Sequence, residues 1–179
     1  MKYFKSLFIL CVLSMTIACS SDDDNNSNTQ NILKVGDETY PIASVFIETR
    51  NDNTILNFQN KSESELMNAI ENGVTLNDFN YSYVLINQNP LASGIYGITE
   101  ITEYEVILDA TINEGELNEG IVVLEDDSAT ISATAIDATI HSITDTFLEI
   151  SITFLRQDGV EISASYSGTY FNFPDSTLD

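Results

Sequence analysis

Thiols, histidine and tryptophan are nearly absent from this chain. Its 179 residues include two cysteines, one histidine and no tryptophan. Cys11 lies in an apolar N-terminal run and Cys19 follows that run, so residues 20–179 contain no thiol. This excludes a cysteine nucleophile, a Cys-based zinc site and a disulfide-stapled fold there. Stability must come from a packed core, and we predict neither a metal nor another cofactor.

Positive charge is also scarce. Beyond residue 18 there are 28 acidic residues against four basic ones, Lys34, Arg50, Lys61 and Arg156, which gives that part a net charge of −24. So large an acidic excess argues against nucleic-acid binding and against electrostatic adhesion to anionic lipid.

The chain lacks an apolar run of the roughly 20 residues that a transmembrane helix needs. Residues 7–18 form a run of 12, preceded by Lys2 and Lys5, which is typical of a signal peptide. Cys19 follows at once. This order resembles a bacterial lipobox, in which the cysteine is acylated, although Thr16 stands where that family prefers leucine. We predict a signal peptide at 1–18 and lipidation at Cys19; the alternative is an ordinary signal peptide with a cysteine near the cut.

An acidic, polar segment follows the cysteine. Residues 20–30 contain no apolar side chain and cannot repay the entropy of folding, which predicts a disordered linker over residues 19–30. Its start resembles the export signal of Bacteroidota surface lipoproteins, with the signal residues being Ser20, Ser21, Asp22, Asp23 and Asp24. Residues 90–96 and 158–170 also resemble small lipoproteins of that group, which are largely of unknown function. The resemblance implies a surface-exposed protein of the outer membrane that contacts the membrane through its lipid anchor only; the alternative is a generic solvated linker.

The remaining residues, 31–179, are predicted to form a single all-β domain. Residues 147–155 alternate between apolar and polar, the Asp158-Gly159 pair predicts a turn, and a second alternating run reaches Tyr170. The other predicted strands are at 39–49, 54–59, 81–87, 95–101 and 120–125, together with one whose apolar face holds Tyr104, Val106, Leu108, Ala110 and Ile112. About nine strands with hairpin spacing predict an antiparallel β-sandwich or a small β-barrel, and periodicity does not choose between them.

Two local features stand out in this pattern. Residues 62–72 are predicted to form the one short helix, with Ser62 and Glu65 as a capping box, Gly73 as its end and an apolar stripe at Leu66, Met67 and Ile70. Residues 128–143 read as one long strand in which the apolar positions change from odd to even numbers. A β-bulge or bend near Ala135–Ile136 is expected to absorb that change.

Chemistry-bearing motifs are few. His141 is predicted to lie on a polar face, and no G-x-S-x-G motif accompanies it. Two acidic groups could supply oxygen ligands for calcium, but neither has EF-hand spacing; they are Glu125, Asp126 and Asp127, and Glu114, Glu116 and Glu119. Tyr96, Tyr104, Tyr166 and Tyr170 are predicted core residues, whereas Phe171 and Phe173 fall on the opposite face of the last strand.

No catalytic residue is therefore predicted, and the expected function is that of a non-catalytic binding or envelope protein. Its partner would be a protein, a glycan or a small molecule. The alternative is a hydrolase that acts on envelope or external polymers with two carboxylates.

Overall fold

Alternation of apolar and polar side chains makes most of the chain extended. The computed structural model describes residues 31–118 and 120–172, so the predicted signal peptide, Cys19 and residues 20–24 lie outside the described part. Within those ranges there are thirteen strands and one helix: β1 Ile32–Val35, β2 Glu38–Pro41, β3 Ser44–Arg50, β4 Asn53–Gln59, α1 Glu63–Asn72, β5 Leu76–Ile86, β6 Gly94–Gly97, β7 Ile101–Asn113, β8 Glu116–Asn118, β9 Ile121–Glu125, β10 Ala133–Ile143, β11 Phe147–Arg156, β12 Glu161–Thr169 and β13 Phe171–Asn172.

These strands form two sheets that pack face to face, which confirms the all-β prediction and selects the sandwich over the barrel. The first sheet has the order β2-β1-β12-β11-β10-β6, with all neighbours antiparallel. The second has the order β13-β3-β4-β5-β7-β8, with β9 also paired to β7. Its strands are antiparallel except that β13 runs parallel to β3.

The strand count exceeds the predicted nine for local reasons. The predicted strand at 39–49 is interrupted between Pro41 and Ser44, which adds one strand, and β1 was not predicted. The predicted strand at 95–101 is divided between β6 and the start of β7, which adds none. Strands β8 and β13 are three and two residues long, too short to show a period of two.

The main core lies between the sheets and follows the predicted alternation. Its fully buried side chains come from both sheets and include Val45, Leu56 and Val84 of the second and Ile150 and Phe154 of the first. The tyrosine prediction is confirmed, since Tyr96, Tyr104 and Tyr166 are buried here and Tyr170 packs partly buried against them.

The phase change in β10 is absorbed by a bulge, close to where the sequence places it. The ladder to β11 is irregular between Ala133 and Ala135, so Thr134 is the extra residue. The bulge allows both Ala133 and Ile136 to pack on the core. The predicted extent was wrong, because residues 128–132 form a turn and the strand begins only at Ala133.

A second irregularity overturns part of the predicted face of β7. Tyr104, Val106 and Leu108 do face the core between the sheets, but Ala110 and Ile112 lie in a separate cluster on the other side of the sheet. The cause is a bulge opposite β5, where Asp109 has a φ of 54° and the following residues change face.

A small amide network holds this bulge. The Asn80 side-chain oxygen accepts a hydrogen bond from the Asp109 backbone N–H at 2.9 Å. The Asn80 backbone N–H donates to the side-chain oxygen of Asn60 at 2.8 Å. The Asn60 amide in turn donates to the carbonyl of Asp78, whose φ is 53°, at 2.8 Å. Buried polar groups at the irregular positions are thus paired.

The helix α1 lies on the outer face of the second sheet and has the predicted ends. The Ser62 hydroxyl accepts from the Glu65 N–H, and the Glu65 carboxylate accepts from the Ser62 N–H at 2.9 Å, which is a capping box. Gly73 ends the helix with a φ of 64°. The predicted apolar stripe was only partly right: Leu66 is buried, whereas Met67 and Ile70 are not.

Candidate ligand-binding cleft

The outer face of the second sheet is apolar at the end nearest α1. We call this set the outer cluster, and its buried members are Phe46, Leu66, Ala69, Phe79, Ile107, Ala110 and Ile112. It exists because several strands of this sheet are buried on both faces. In β3, Val45 and Ile47 point into the sandwich while Phe46 points outward into the cluster. Phe171 of β13 packs on Phe46, with ring centroids 5.4 Å apart.

A cleft of about 380 Å³ opens in the outer cluster because α1 covers only part of it. It is lined by Phe46, Gln59, Leu66, Met67, Ile70, Phe79, Tyr81, Glu105, Ile112, Gly115 and Leu117. Small-molecule sites are typically clefts of about 300–1,000 Å³ with mainly apolar walls and a few polar groups. This cleft has that size and that composition.

Gln59 supplies a buried polar group with an unmet hydrogen-bonding capacity. The side chain is at the end of β4 and is 8% exposed. Its Oε1 atom finds no hydrogen-bond donor among the described residues. Because buried polar atoms are nearly always paired, this oxygen identifies a place where a donor is missing from the fold itself.

Tyr81 lies beside Gln59 in the neighbouring strand β5 and has its hydroxyl engaged. Gln59 and Tyr81 are directly opposite in the β4–β5 ladder. The Tyr81 hydroxyl donates to the Asn57 side-chain oxygen at 2.9 Å. Burial, reinforced by Tyr83 and Glu105, raises the pKa of Tyr81 well above its usual value. The phenol is therefore a neutral group, and its donor is not directed to Gln59.

Aromatic rings form a continuous row along this part of β5. The ring centroids of Phe79 and Tyr81 are 6.1 Å apart and those of Tyr81 and Tyr83 are 6.0 Å apart. Alternate residues of a strand share a face, so the three rings lie side by side on the outer surface of the sheet. Two of the three, Phe79 and Tyr81, line the cleft.

Glu105 brings a carboxylate to the same cleft. It is half-buried on β7, opposite Tyr83 on one side and Glu125 of β9 on the other. Like charges directly opposite each other in adjacent strands repel. Burial, with Glu125 and Asp126 nearby, raises the pKa of Glu105 above its usual value. Within the part of the chain that the structure describes, the Glu105 carboxylate makes no hydrogen bond and no ion pair.

The rim of the cleft is built by α1 and by the β7–β8 hairpin. Met67 and Ile70, which the helix pattern placed on a buried stripe, are 36% and 52% exposed and border the cleft. The hairpin has a two-residue turn in which Glu114 and Gly115 both have positive φ, of 52° and 81°. Glycine at position 115 suits the positive φ, and the turn lies against the helix, since a β-carbon there would be in ordinary contact with the Ile70 carbonyl oxygen at 3.5 Å.

The chemistry-bearing residues singled out from the sequence lie elsewhere. His141 is exposed at a second bulge of β10, and its Nε2 is 3.0 Å from the Ser151 hydroxyl on the outer face of the first sheet. Among the described residues, no carboxylate hydrogen-bonds to His141 and no three His, Cys, Asp or Glu side chains are grouped to hold a metal ion.

The two acidic groups have different positions. Glu125, Asp126 and Asp127 lie at the end of β9, next to Glu105 rather than around a shared centre. Glu114 and Glu116 belong to the β7–β8 hairpin, and Glu119 is outside the described residues, as are Cys19 and residues 20–24.

Sequence reasoning missed Gln59, Tyr81 and Glu105 as a group. A signal was present in the consecutive apolar residues of β3, from Val45 to Ile47, which indicate a strand buried on both faces. Such a strand must be covered on its outer side, and a short amphipathic helix was available to cover it. The sequence does not show the strand register that places β4, β5 and β7 side by side.

None of the helices described by the structure combines the length and apolarity needed to cross a membrane. No family model, no curated protein and no solved structure matches this chain.

Proposed function

We propose that this protein is a lipid-anchored envelope protein whose cleft binds a small, largely apolar ligand with a hydrogen-bond donor, without catalysing a reaction on it. The observation that carries this proposal is the Gln59 Oε1 atom, which is buried, belongs to a side chain that lines the cleft and has no donor among the described residues. The anchor at Cys19 and the location on the cell surface rest on the sequence resemblance alone.

The energetics of Gln59 support a binding role. A buried polar group without a partner costs about 1–3 kcal/mol of stability. An apolar side chain of the same length would remove that cost and would continue the apolar lining around it. A glutamine at this position is explained if a ligand donates to it, because the hydrogen bond then forms in a site of low dielectric.

The walls support a ligand with a flat or flexible apolar part. Phe46, Phe79 and Tyr81 offer ring surfaces, and Leu66 and Ile112 close the space between helix and sheet. Apolar area removed from water contributes roughly 25 cal/mol per Å². Most of the affinity would come from these contacts, and Gln59 would fix the orientation of the ligand.

The binding proposal is tested with a matched pair of probes, phenylbutanol and its methyl ether. Both carry a phenyl ring and a four-carbon chain, and only the alcohol has a donor. The full chain is reconstituted in phospholipid nanodiscs and its thermal unfolding is followed by tyrosine circular dichroism. A ligand present at about 100 times its Kd stabilises the fold by about 2.7 kcal/mol, so the midpoint should rise by several degrees with the alcohol and by less with the ether.

The variant Gln59→Met separates binding from stability. It keeps the length of the side chain and removes the buried amide, so the ligand-free protein should be more stable by about 1–3 kcal/mol. The alcohol should lose its advantage over the ether in this variant. The binding proposal fails if no donor-bearing probe with this apolar part shifts the midpoint of the wild type, or if Gln59→Met leaves the preference for the alcohol unchanged.

The anchor is tested separately. Cys19→Ser should abolish incorporation of labelled palmitate, because the thiol is the group that is acylated. Persistent labelling of that variant would contradict the assignment of Cys19.

A further inference from the structure

We infer that the ligand of the cleft is a cation: a small amine whose apolar part lies among the aromatic side chains and whose ammonium group lies above Tyr81, between Gln59 and Glu105. This assignment rests on the proposed binding function and specifies the chemistry of the ligand.

The placement of the ammonium follows from the strand order. Strand β5 lies between β4 and β7, so Tyr81 has Gln59 of β4 directly opposite on one side and Glu105 of β7 diagonally on the other, because Glu105 pairs with Tyr83. All three side chains line the same cleft. Gln59 offers an unpartnered acceptor and Glu105 a carboxylate without a described hydrogen bond or ion pair. An ammonium group has three N–H donors and no acceptor, which matches two acceptors on either side of one position.

The charges around Glu105 favour a cation over a neutral donor. Glu125 faces Glu105 across the β7–β9 ladder, and Asp126 follows it. Arg156 is paired with Asp158, and Arg50 is near enough to Tyr81 to act on it electrostatically but is paired with Glu48 at 2.6 Å. Neither of these described ion pairs involves Glu105. Burial and, after it, repulsion from Glu125 and Asp126 raise the pKa of Glu105, and a positive ligand would relieve that repulsion.

The aromatic lining also favours a cationic ligand. Phe46, Phe79 and Tyr81 present rings to the cleft, and ring faces attract ammonium groups within about 6 Å of the centroid. A carboxylate ligand would be repelled both by the ring faces and by Glu105. The cleft is therefore suited to arylalkyl or alkyl amines and unsuited to fatty acids.

The test compares three probes with one apolar part and different head groups: phenylbutylamine, phenylbutanol and phenylbutyrate. Unfolding midpoints of the full chain in nanodiscs are titrated with each probe. We expect the amine to reach half of its maximal stabilisation at about one tenth of the concentration needed for the alcohol, because a charge-assisted hydrogen bond is roughly twice as strong as a neutral one. Phenylbutyrate should produce no stabilisation.

Two carboxylate variants of β7 test whether Glu105 causes the preference for the amine. Glu105→Gln should remove the advantage of the amine over the alcohol, whereas Glu103→Gln should preserve it, because Glu103 is exposed and does not line the cleft. Equal loss in both variants would assign the preference to overall surface charge and overturn the inference.

The remaining outcomes distinguish the two proposals. If the alcohol stabilises the wild type and the amine is no better, the ligand is not a cation but the binding function stands. If none of the three probes stabilises the wild type, the binding function and the cation assignment fail together.

Discussion

At Gly120 the chain passes so close to β7 that a β-carbon has no room. A β-carbon there would lie 2.7 Å from the Ile107 Cγ2 atom and 2.9 Å from the Ala110 Cβ atom. The residue also has a φ of 101°, a conformation that side-chain-bearing residues rarely adopt. Ile107 and Ala110 are both members of the outer cluster, so this glycine allows β9 to return against the cluster without opening it.

We expect Gly120→Ala to destabilise the fold by about 2–4 kcal/mol, the sum of backbone strain and overpacking. The matched control is Gly159→Ala, since Gly159 has a φ of 86° but a β-carbon added to it would meet no atom within 4 Å. That control should show the backbone cost alone, about 1–2 kcal/mol. Urea unfolding of both variants measures the difference, and equal destabilisation would mean that the contact with β7 relaxes freely.

Asp158 shows how a single charge is held at a turn. Its carboxylate accepts from the Arg156 guanidinium at 2.8 Å and 2.5 Å and from the Val160 N–H at 3.2 Å. These interactions, led by the hydrogen bond from Arg156, lower the pKa of Asp158 to about 2. Arg156 also donates to the Val123 carbonyl at 2.7 Å, which ties the β11–β12 turn to the opposite sheet.

The stabilisation from Asp158 should therefore be fully present above the usual aspartate pKa and be lost as the pH falls toward about 2. Asp158→Asn should flatten the loss of unfolding free energy between about pH 4 and pH 2. Asp52→Asn, at an exposed turn residue with no described side-chain hydrogen bond, is the control. The explanation is wrong if both variants lose stability with the same slope as the wild type.

At the scale of elements, what the sequence predicts well is what depends on near neighbours. The helix was predicted with its cap and its end because Ser62, Glu65 and Gly73 act within one turn of the backbone. The C-terminal hairpin was predicted because β11 and β12 alternate cleanly on both sides of Asp158-Gly159.

Features that depend on distant partners were not readable. The bulge at Asp109 is stabilised by Asn80, 29 positions earlier, so the alternation of β7 alone gave the wrong face for Ala110 and Ile112. The cleft could not be predicted from the sequence for the same reason, because Gln59, Tyr81 and Glu105 come together only when β4, β5 and β7 are in register. Polar residues on an apolar strand can be recognised in a sequence, but their convergence cannot.

The cap of α1 gives an element-scale prediction, because the helix is one wall of the cleft. Ser62→Ala removes the acceptor of the Glu65 N–H and should cost about 1 kcal/mol. It should also reduce the stabilisation by phenylbutanol, since Leu66, Met67 and Ile70 contact the ligand space from this helix.

The matched control for the cap is Glu71→Ala, an exposed residue of the same helix that does not line the cleft. Urea unfolding with and without phenylbutanol compares the variants. A Ser62→Ala protein that is less stable but gains as much from the probe as the wild type would show that the helix is not a functional wall.

For the whole molecule, the position of Asn31 relates the domain to its proposed anchor. The Asn31 side-chain oxygen accepts from the Ser167 N–H at 2.8 Å, so the described part begins beside β12 of the first sheet. The cleft is on the outer face of the second sheet, the opposite side of the sandwich. If residues 20–30 form the predicted disordered linker, its 11 residues would span roughly 18 Å on average, from 5–6 Å times the square root of the length. The tether would therefore leave the cleft accessible from outside the membrane.

Export is the proposed role of the acidic residues behind the anchor. Changing Asp22, Asp23 and Asp24 together to alanine should leave palmitate labelling at Cys19 intact but retain the protein on the periplasmic side, because the resemblance assigns these charges to export rather than to acylation. Asn25→Ala, in the same segment, is the control and should not affect location. Protease treatment of intact cells reports the difference: the wild type and the control should be cleaved, and the triple variant should be protected until the outer membrane is opened. Equal cleavage of all three proteins would mean that the aspartates are only a solvated spacer. The proposed surface location would then lose its support.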